Sequence, residues 1–258
     1  MKSKFLIVFY LLALNIFSLS SFAKENFTVV TEVWDGYTNK DGSGAYFELL
    51  KKIFEPEYDF KYQLFPYARA LYLVGTGREG FDAIIGVDEK SAKGLILPKY
   101  YIEKDKTYVV FDKKKTDYKD INSLKGKNVG FVNDYGYDKY LDFDIKIKSI
   151  LPDNRDSVAQ LLKLGRIDYY LDSTSVVDDL VTKKILNTDD FSMVIEPVLG
   201  TPLYVAFAKG SLDPKTKKYK GELLKEIFDK KFLEMTKNGD AQKFFEKYHL
   251  EVPTYNFN

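Results

Sequence analysis

From Phe27 onward the chain alternates short β-branched runs with stretches in which apolar residues return every three or four positions. The first pattern predicts strands and the second amphipathic helices, so the chain reads as an α/β protein. The run Phe27-Thr-Val-Val-Thr-Glu-Val33 predicts a strand, and Gly36, Asp41, Gly42 and Gly44 predict a loop after it. Helical spacing covers Ala45 to Phe54 and stops before Pro56; Phe60 to Phe65 alternates like a half-buried strand.

Two later segments share one design: an amphipathic helix, a glycine, then an aspartate that leads into a hydrophobic strand. The first runs from Ala68–Val74 through Gly75 and Gly80 to Phe81-Asp82-Ala-Ile-Ile-Gly86, and the second from Ser157–Leu164 through Gly165 to Ile167-Asp168-Tyr-Tyr-Leu171. A glycine ends a helix readily, and the apolar run after it suits a buried parallel strand. Each segment therefore predicts half of a separate α/β lobe.

Between them, Tyr108-Val-Val-Phe111 leads into a Lys/Asp-rich stretch, and Leu124–Phe131 opens a new strand. This places a lobe boundary near Lys113, with lobe one over 24–112 and lobe two over 113–203. Thr201–Ala208 resembles the strand Thr107–Phe111, and the two are expected to cross between the lobes as hinges. Helical spacing over Leu223–Met235 and a second short helix ending at Tyr248 would then return over 204–258 to pack on lobe one. The cleft between lobes becomes the expected ligand site.

Residues 1–23 read as a cleavable export signal, with Lys2 and Lys4, the apolar run Phe5–Leu14 and the small-residue end Ser21-Phe22-Ala23. A retained anchor is the alternative, but Asn15 interrupts a run already shorter than the roughly 20 residues of a spanning helix. The chain has no cysteine. That excludes a disulfide framework, a thiolate metal site and lipidation through cysteine, and it favours a freely diffusing periplasmic protein. The formal charge of +1 becomes about −1 once Lys2 and Lys4 are removed with the signal, too balanced to attract nucleic acid. His249 is the only histidine, which argues against a histidine dyad or a multi-histidine metal site.

The pieces Gly80-Phe-Asp-Ala-Ile-Ile-Gly86, Leu124-Lys-Gly-Lys-Asn-Val-Gly130, Leu164-Gly-Arg-Ile-Asp168 and Lys237–Tyr248, in this order and spacing, resemble the bacterial extracellular solute-binding proteins of family 3, the polar-amino-acid-binding superfamily. The resemblance covers nearly all of the chain after the signal. It implies a two-lobed type II periplasmic-binding-protein fold with two hinge crossovers and no cofactor. The implied function is non-enzymatic capture of a small polar solute by lobe closure, as a monomer that serves a membrane permease. Delivery to a membrane sensor is the alternative, and an enzyme of the same fold is a remoter one. Phe65-Pro-Tyr-Ala-Arg-Ala70 resembles a branch of the superfamily without settled amino-acid specificity.

The family's ligand motifs are altered here. Amino-acid-binding members carry an arginine after the strand matching Phe81–Gly86, where its planar fork grips a carboxylate. This chain has Val87-Asp-Glu-Lys-Ser-Ala-Lys93, which puts Lys90 or Ser91 at that place, with Arg69 as a further substitute. In lobe two the expected glycine and hydroxyl residues are replaced by Asn133-Asp-Tyr-Gly-Tyr137, with Asp134 at the glycine. Asp172, one residue out of register, matches the family's amine-binding acid.

The candidate ligand residues are therefore Trp34 and Tyr37 after the first strand, Arg69, Asp88 and Lys90, Tyr135 and Tyr137, and Asp172 with Thr174. Each has a competing reading. The aromatic residues could simply pack in the core or lie on solvated loops, and the charged ones could pair locally. Asp88, Lys90, Tyr135 and Tyr137 follow strand ends of the kind that face the cleft in open α/β lobes.

Overall fold

The computed structural model describes residues 24–132, 135–143, 146–150 and 155–255; the expected export signal and the Asn133-Asp134 pair lie outside them. The first lobe contains β1 (Glu25–Thr31), α1 (Ala45–Phe54), β2 (Tyr58–Leu64), α2 (Tyr67–Gly75), β3 (Ala83–Val87) and β4 (Glu103–Lys104). The second contains β5 (Thr107–Asp112), β6 (Asn128–Val132), β7 (Lys146–Ile150), α3 (Arg155–Lys163), β8 (Tyr169–Ser173), α4 (Thr174–Thr182) and β9 (Phe191–Ile195). The chain then returns through β10 (Pro202–Phe207), α5 (Lys220–Lys237) and α6 (Asp240–Lys247).

Two five-stranded sheets result, ordered β2-β1-β3-β10-β4 and β7-β6-β8-β5-β9. In each, three parallel strands are followed by one antiparallel strand, β10 against β3 and β5 against β8. The inner parallel strands β1, β3, β6 and β8 are largely buried, as strands covered on both faces are, whereas the edge strand β2 alternates half-buried and exposed residues. The C-terminal helices pack against the first sheet: Phe228, Phe232 and Phe245 share one core with Phe27, Phe54 and Phe207.

The repeated aspartates have an architectural job. Asp82 Oδ2 accepts the backbone N–H of Thr28 at 2.8 Å while the Asp82 N–H donates to Thr28 O at 2.9 Å. In the second lobe Asp168 Oδ2 accepts the Asn128 N–H at 2.8 Å, and its own N–H donates to Asn128 O at 2.8 Å. Each aspartate thus pins the start of one parallel strand to its neighbour and satisfies backbone groups the ladder has not yet reached.

The sheet assignments move the expected boundary. The strand ending at Asp112 belongs to the second sheet, and β10 belongs to the first, so neither strand crosses between lobes. The crossings are the short segments 105–106 and 196–201. They are stitched together by Asp105 N–H to Thr201 O at 2.8 Å and Glu196 N–H to Thr107 O at 2.9 Å.

Candidate functional site

Strand ends from both sheets meet beside these crossovers. The chain leaving β1 carries Glu32 and Trp34, and it is held in a tight turn by Thr38, whose hydroxyl donates to Glu32 O at 2.8 Å and accepts the Trp34 N–H at 3.1 Å. The Trp34 ring stacks on Tyr37 at 4.3 Å, and Tyr37 leans on buried Tyr46 at 4.9 Å. Gly44 makes this packing possible: its φ is +112°, and a Cβ there would lie 2.5 Å from Tyr37 O.

Across the cleft, Arg155 opens α3 and Ser175 lies in the first turn of α4. Arg155 Nη2 stands 3.0 Å from Glu32 Oε1 and also donates to the Tyr135 hydroxyl, which donates to the same Glu32 oxygen at 2.6 Å. Arg155 Nε lies 3.8 Å from Asp172 Oδ2 and, among the described residues, has no hydrogen-bond partner. Asp172 is fully buried and is held by the Tyr170 hydroxyl at 2.6 Å and the Ser173 N–H at 2.8 Å. Burial raises the Glu32 and Asp172 carboxyls above the ordinary range, and Arg155 opposes that rise at both. On the opposite wall, the Trp34 indole N–H donates to Ser175 Oγ at 3.3 Å, so both walls of the cleft are bridged from lobe to lobe.

Two chambers adjoin, and Glu32 and Trp34 line both. The outer, of about 700 Å³, is bordered by Asp35, Phe65, Arg155, Asp179 and Lys183 among others. The inner, of about 60 Å³, is walled by Tyr67, Tyr135, Tyr137 and Tyr140 together with Asp88 and Asp105. Asp88 is only 6% exposed, and its Oδ1 accepts the N–H groups of Lys90 at 2.9 Å and Ser91 at 3.1 Å as well as the Tyr140 hydroxyl. Burial, reinforced by Glu103 and Asp172, pushes the Asp105 carboxyl up to about 7.

Of the residues expected from sequence, Trp34, Asp88, Tyr135 and Tyr137 line the chambers. Asp172 lies beneath them against Arg155, and Tyr37 backs Trp34. Thr174 spends its backbone N–H on Lys106 O at 2.7 Å. Three expected anion-holding groups are elsewhere. Arg69 is exposed and lies over the Phe65 ring at 4.7 Å. Lys90 is exposed and donates to Lys139 O at 2.7 Å, and Ser91 accepts from Lys139 Nζ at 3.2 Å, so both latch the lobes at the rim.

The guanidinium in the cleft is instead Arg155, which sequence reading passed over because the helical spacing began at Ser157. Its position at the start of a helix after a strand was the available signal. Glu32 was missed inside a run read as a continuous strand, although a lone carboxylate in a β-branched run marks a strand end. Asp105 and Ser175 carried no such signal. No metal-binding group of three or more acidic or histidine side chains occurs among the described residues, and no helix there is long and apolar enough to cross a membrane.

No family model matches the chain. It is similar to the probable amino-acid-binding protein YxeM of Bacillus subtilis, 28% identical over 148 residues, which cover 56% of this chain and about half, 52%, of that protein. Among solved structures, an ancestral arginine-binding protein bound to arginine superposes with a TM-score of 0.67 at 21% identity, covering 87% of this chain and 98% of the other. The substrate-binding protein of an amino acid ABC transporter gives 0.66 at 14% identity, covering 86% and 98%. All three relatives are binding proteins, and the resemblance drawn from the sequence motifs is to proteins of this kind.

Proposed function

Starting from the two-lobed type II periplasmic-binding-protein fold that the chain shares with these substrate-binding proteins, we propose that it captures a small polar solute between its lobes outside the cytoplasmic membrane and hands it to an ABC-type importer. The observation that carries this reading is the bridged cleft. Glu32 and Trp34 of the first lobe meet Arg155, Tyr135 and Ser175 of the second around adjoining chambers, so a molecule held there touches both lobes at once. A ligand with that reach favours the closed arrangement by its differential contacts, which is how hinge closure couples to binding.

The chambers suit binding better than turnover. Glu32 is paired with Arg155 in a partly buried network that faces buried Asp172, and a carboxylate so held is a poor mobile base. Delivery of the solute to a membrane sensor uses the same closed form, and the identity of a co-purifying membrane partner separates the two. Titration calorimetry against amino acids, amines, carboxylates and sugars tests the central claim. One-to-one binding by one class is expected, and absence of heat from every class overturns it.

A further inference from the structure

The inner chamber has a one-sided chemistry. Its lining contains three carboxylates, Glu32, Asp88 and Asp105, with four tyrosines and Trp34, and no lysine, arginine or histidine. Glu32 is already paired with Arg155. Asp88 and Asp105 form no ion pair among the described residues; Asp88 Oδ1 accepts hydrogen bonds from the backbone N–H groups of Lys90 and Ser91 and from the Tyr140 hydroxyl, and Asp105 Oδ2 accepts one from the Thr107 hydroxyl at 3.3 Å, all from uncharged donors. A buried carboxylate without a counter-cation is costly, and the cost is relieved when a bound cation supplies the charge. The aromatic faces add to this, because ring quadrupoles attract a cation within about 6 Å.

We propose that the inner chamber binds a primary alkylammonium group, so that the solute is an amine whose charged end sits against Asp88 and Asp105 while its remaining chain passes Trp34 into the outer chamber. This rests on the reading of the cleft as a solute site. Size selects among cations. The inner chamber, at about 60 Å³ against about 700 Å³ for the outer, is much the narrower of the two, so it favours a small unbranched head. Three N–H donors on one small head also match converging carboxylates and hydroxyls, with Tyr67 already fixed by donating to Gly86 O at 3.1 Å.

The outer chamber decides what the rest of the molecule carries. Asp156 and Asp179 there could receive a second ammonium, whereas Arg155 could receive a carboxylate. Calorimetry of the full chain with cadaverine, lysine, choline and glutamate reads this out. At pH 8, where Asp105 has released its proton, binding of cadaverine, of lysine or of both, with choline and glutamate weaker by about thirtyfold or more, is expected from buried carboxylates that face no other cation. Asp88→Asn and Asp105→Asn should each weaken the bound amine by about tenfold or more while melting cooperatively. Should either variant fail to fold, Tyr137→Phe tests the same wall. Binding of glutamate or choline without either amine overturns the amine assignment but leaves a solute-binding cleft. Amine binding indifferent to these substitutions also overturns it. Absence of binding by all four probes and by the wider solute classes overturns both readings together.

Discussion

Glu32 of the first lobe and Arg155 of the second form an ion pair at 3.0 Å, with the Tyr135 hydroxyl bridging them. Both side chains are mostly withdrawn from solvent, at 14% and 21% exposed, so the pair is worth far more than a surface salt bridge to whichever partner would otherwise be left alone. Arg155→Ala strands Glu32 and Asp172 in a buried site. A loss of about 3 kcal/mol in unfolding free energy is expected, measured by urea denaturation. Adding Glu32→Gln to an Arg155→Met background should return a large part of it, because a neutral pair leaves only Asp172 to neutralise. A single variant that melts like the parent would show that the pair contributes nothing.

Trp34 is the only tryptophan in the chain, and its indole N–H reaches Ser175 across the cleft. Its emission therefore reports on closure without any label. Addition of a bound solute should reduce quenching by acrylamide and shift the emission maximum, and Ser175→Ala should diminish the shift while leaving the fold intact. Unchanged quenching at saturating ligand would mean that binding does not bring these two residues together.

What the sequence revealed follows from where the information is local. Ala45–Phe54 was legible to the residue, because its apolar spacing is regular and a glycine precedes it. The paired aspartates were visible as a repeat, although their role in pinning Thr28 and Asn128 needed the neighbouring strand. By contrast, β9 and α4 left weak signals. Phe191–Ile195 is a half-exposed edge strand, and α4 follows β8 with no intervening loop. The site was half legible for the same reason. Asp88, Tyr135 and Tyr137 follow recognisable strand ends, whereas Arg155 meets Glu32 across 123 positions, and no periodicity encodes that contact.

Gly44 gives a third expectation. With φ at +112° and Tyr37 O only 2.5 Å from a would-be Cβ, Gly44→Ala must both strain the backbone and push the Tyr37 segment away from α1. The expected cost is about 2–4 kcal/mol by thermal or urea melting. Because Tyr37 stacks on Trp34, the variant should also alter tryptophan emission before any ligand is added. Gly36, where a Cβ would meet nothing within 4 Å although φ is +83°, serves as the comparison. Its alanine variant should lose less stability and keep the parent emission.

The crossover carboxylates make stability depend on pH in an unusual direction. Burial raises both Glu103 and Asp105 to about 7 in the folded protein, well above the ordinary carboxyl range near 4. Between about pH 4 and pH 7 the folded chain therefore keeps protons that the unfolded chain has released, and stability from these groups is lost as pH rises through that window. Asp105→Asn removes one of the two contributions. Its melting temperature should fall less steeply than the parent's from pH 5 to pH 8, with a gain on the order of 2 kcal/mol at pH 8. At pH 5 the two proteins should melt alike, since there the parent's Asp105 is already neutral. Parallel melting curves across the whole range would show that Asp105 stays ionised in the fold.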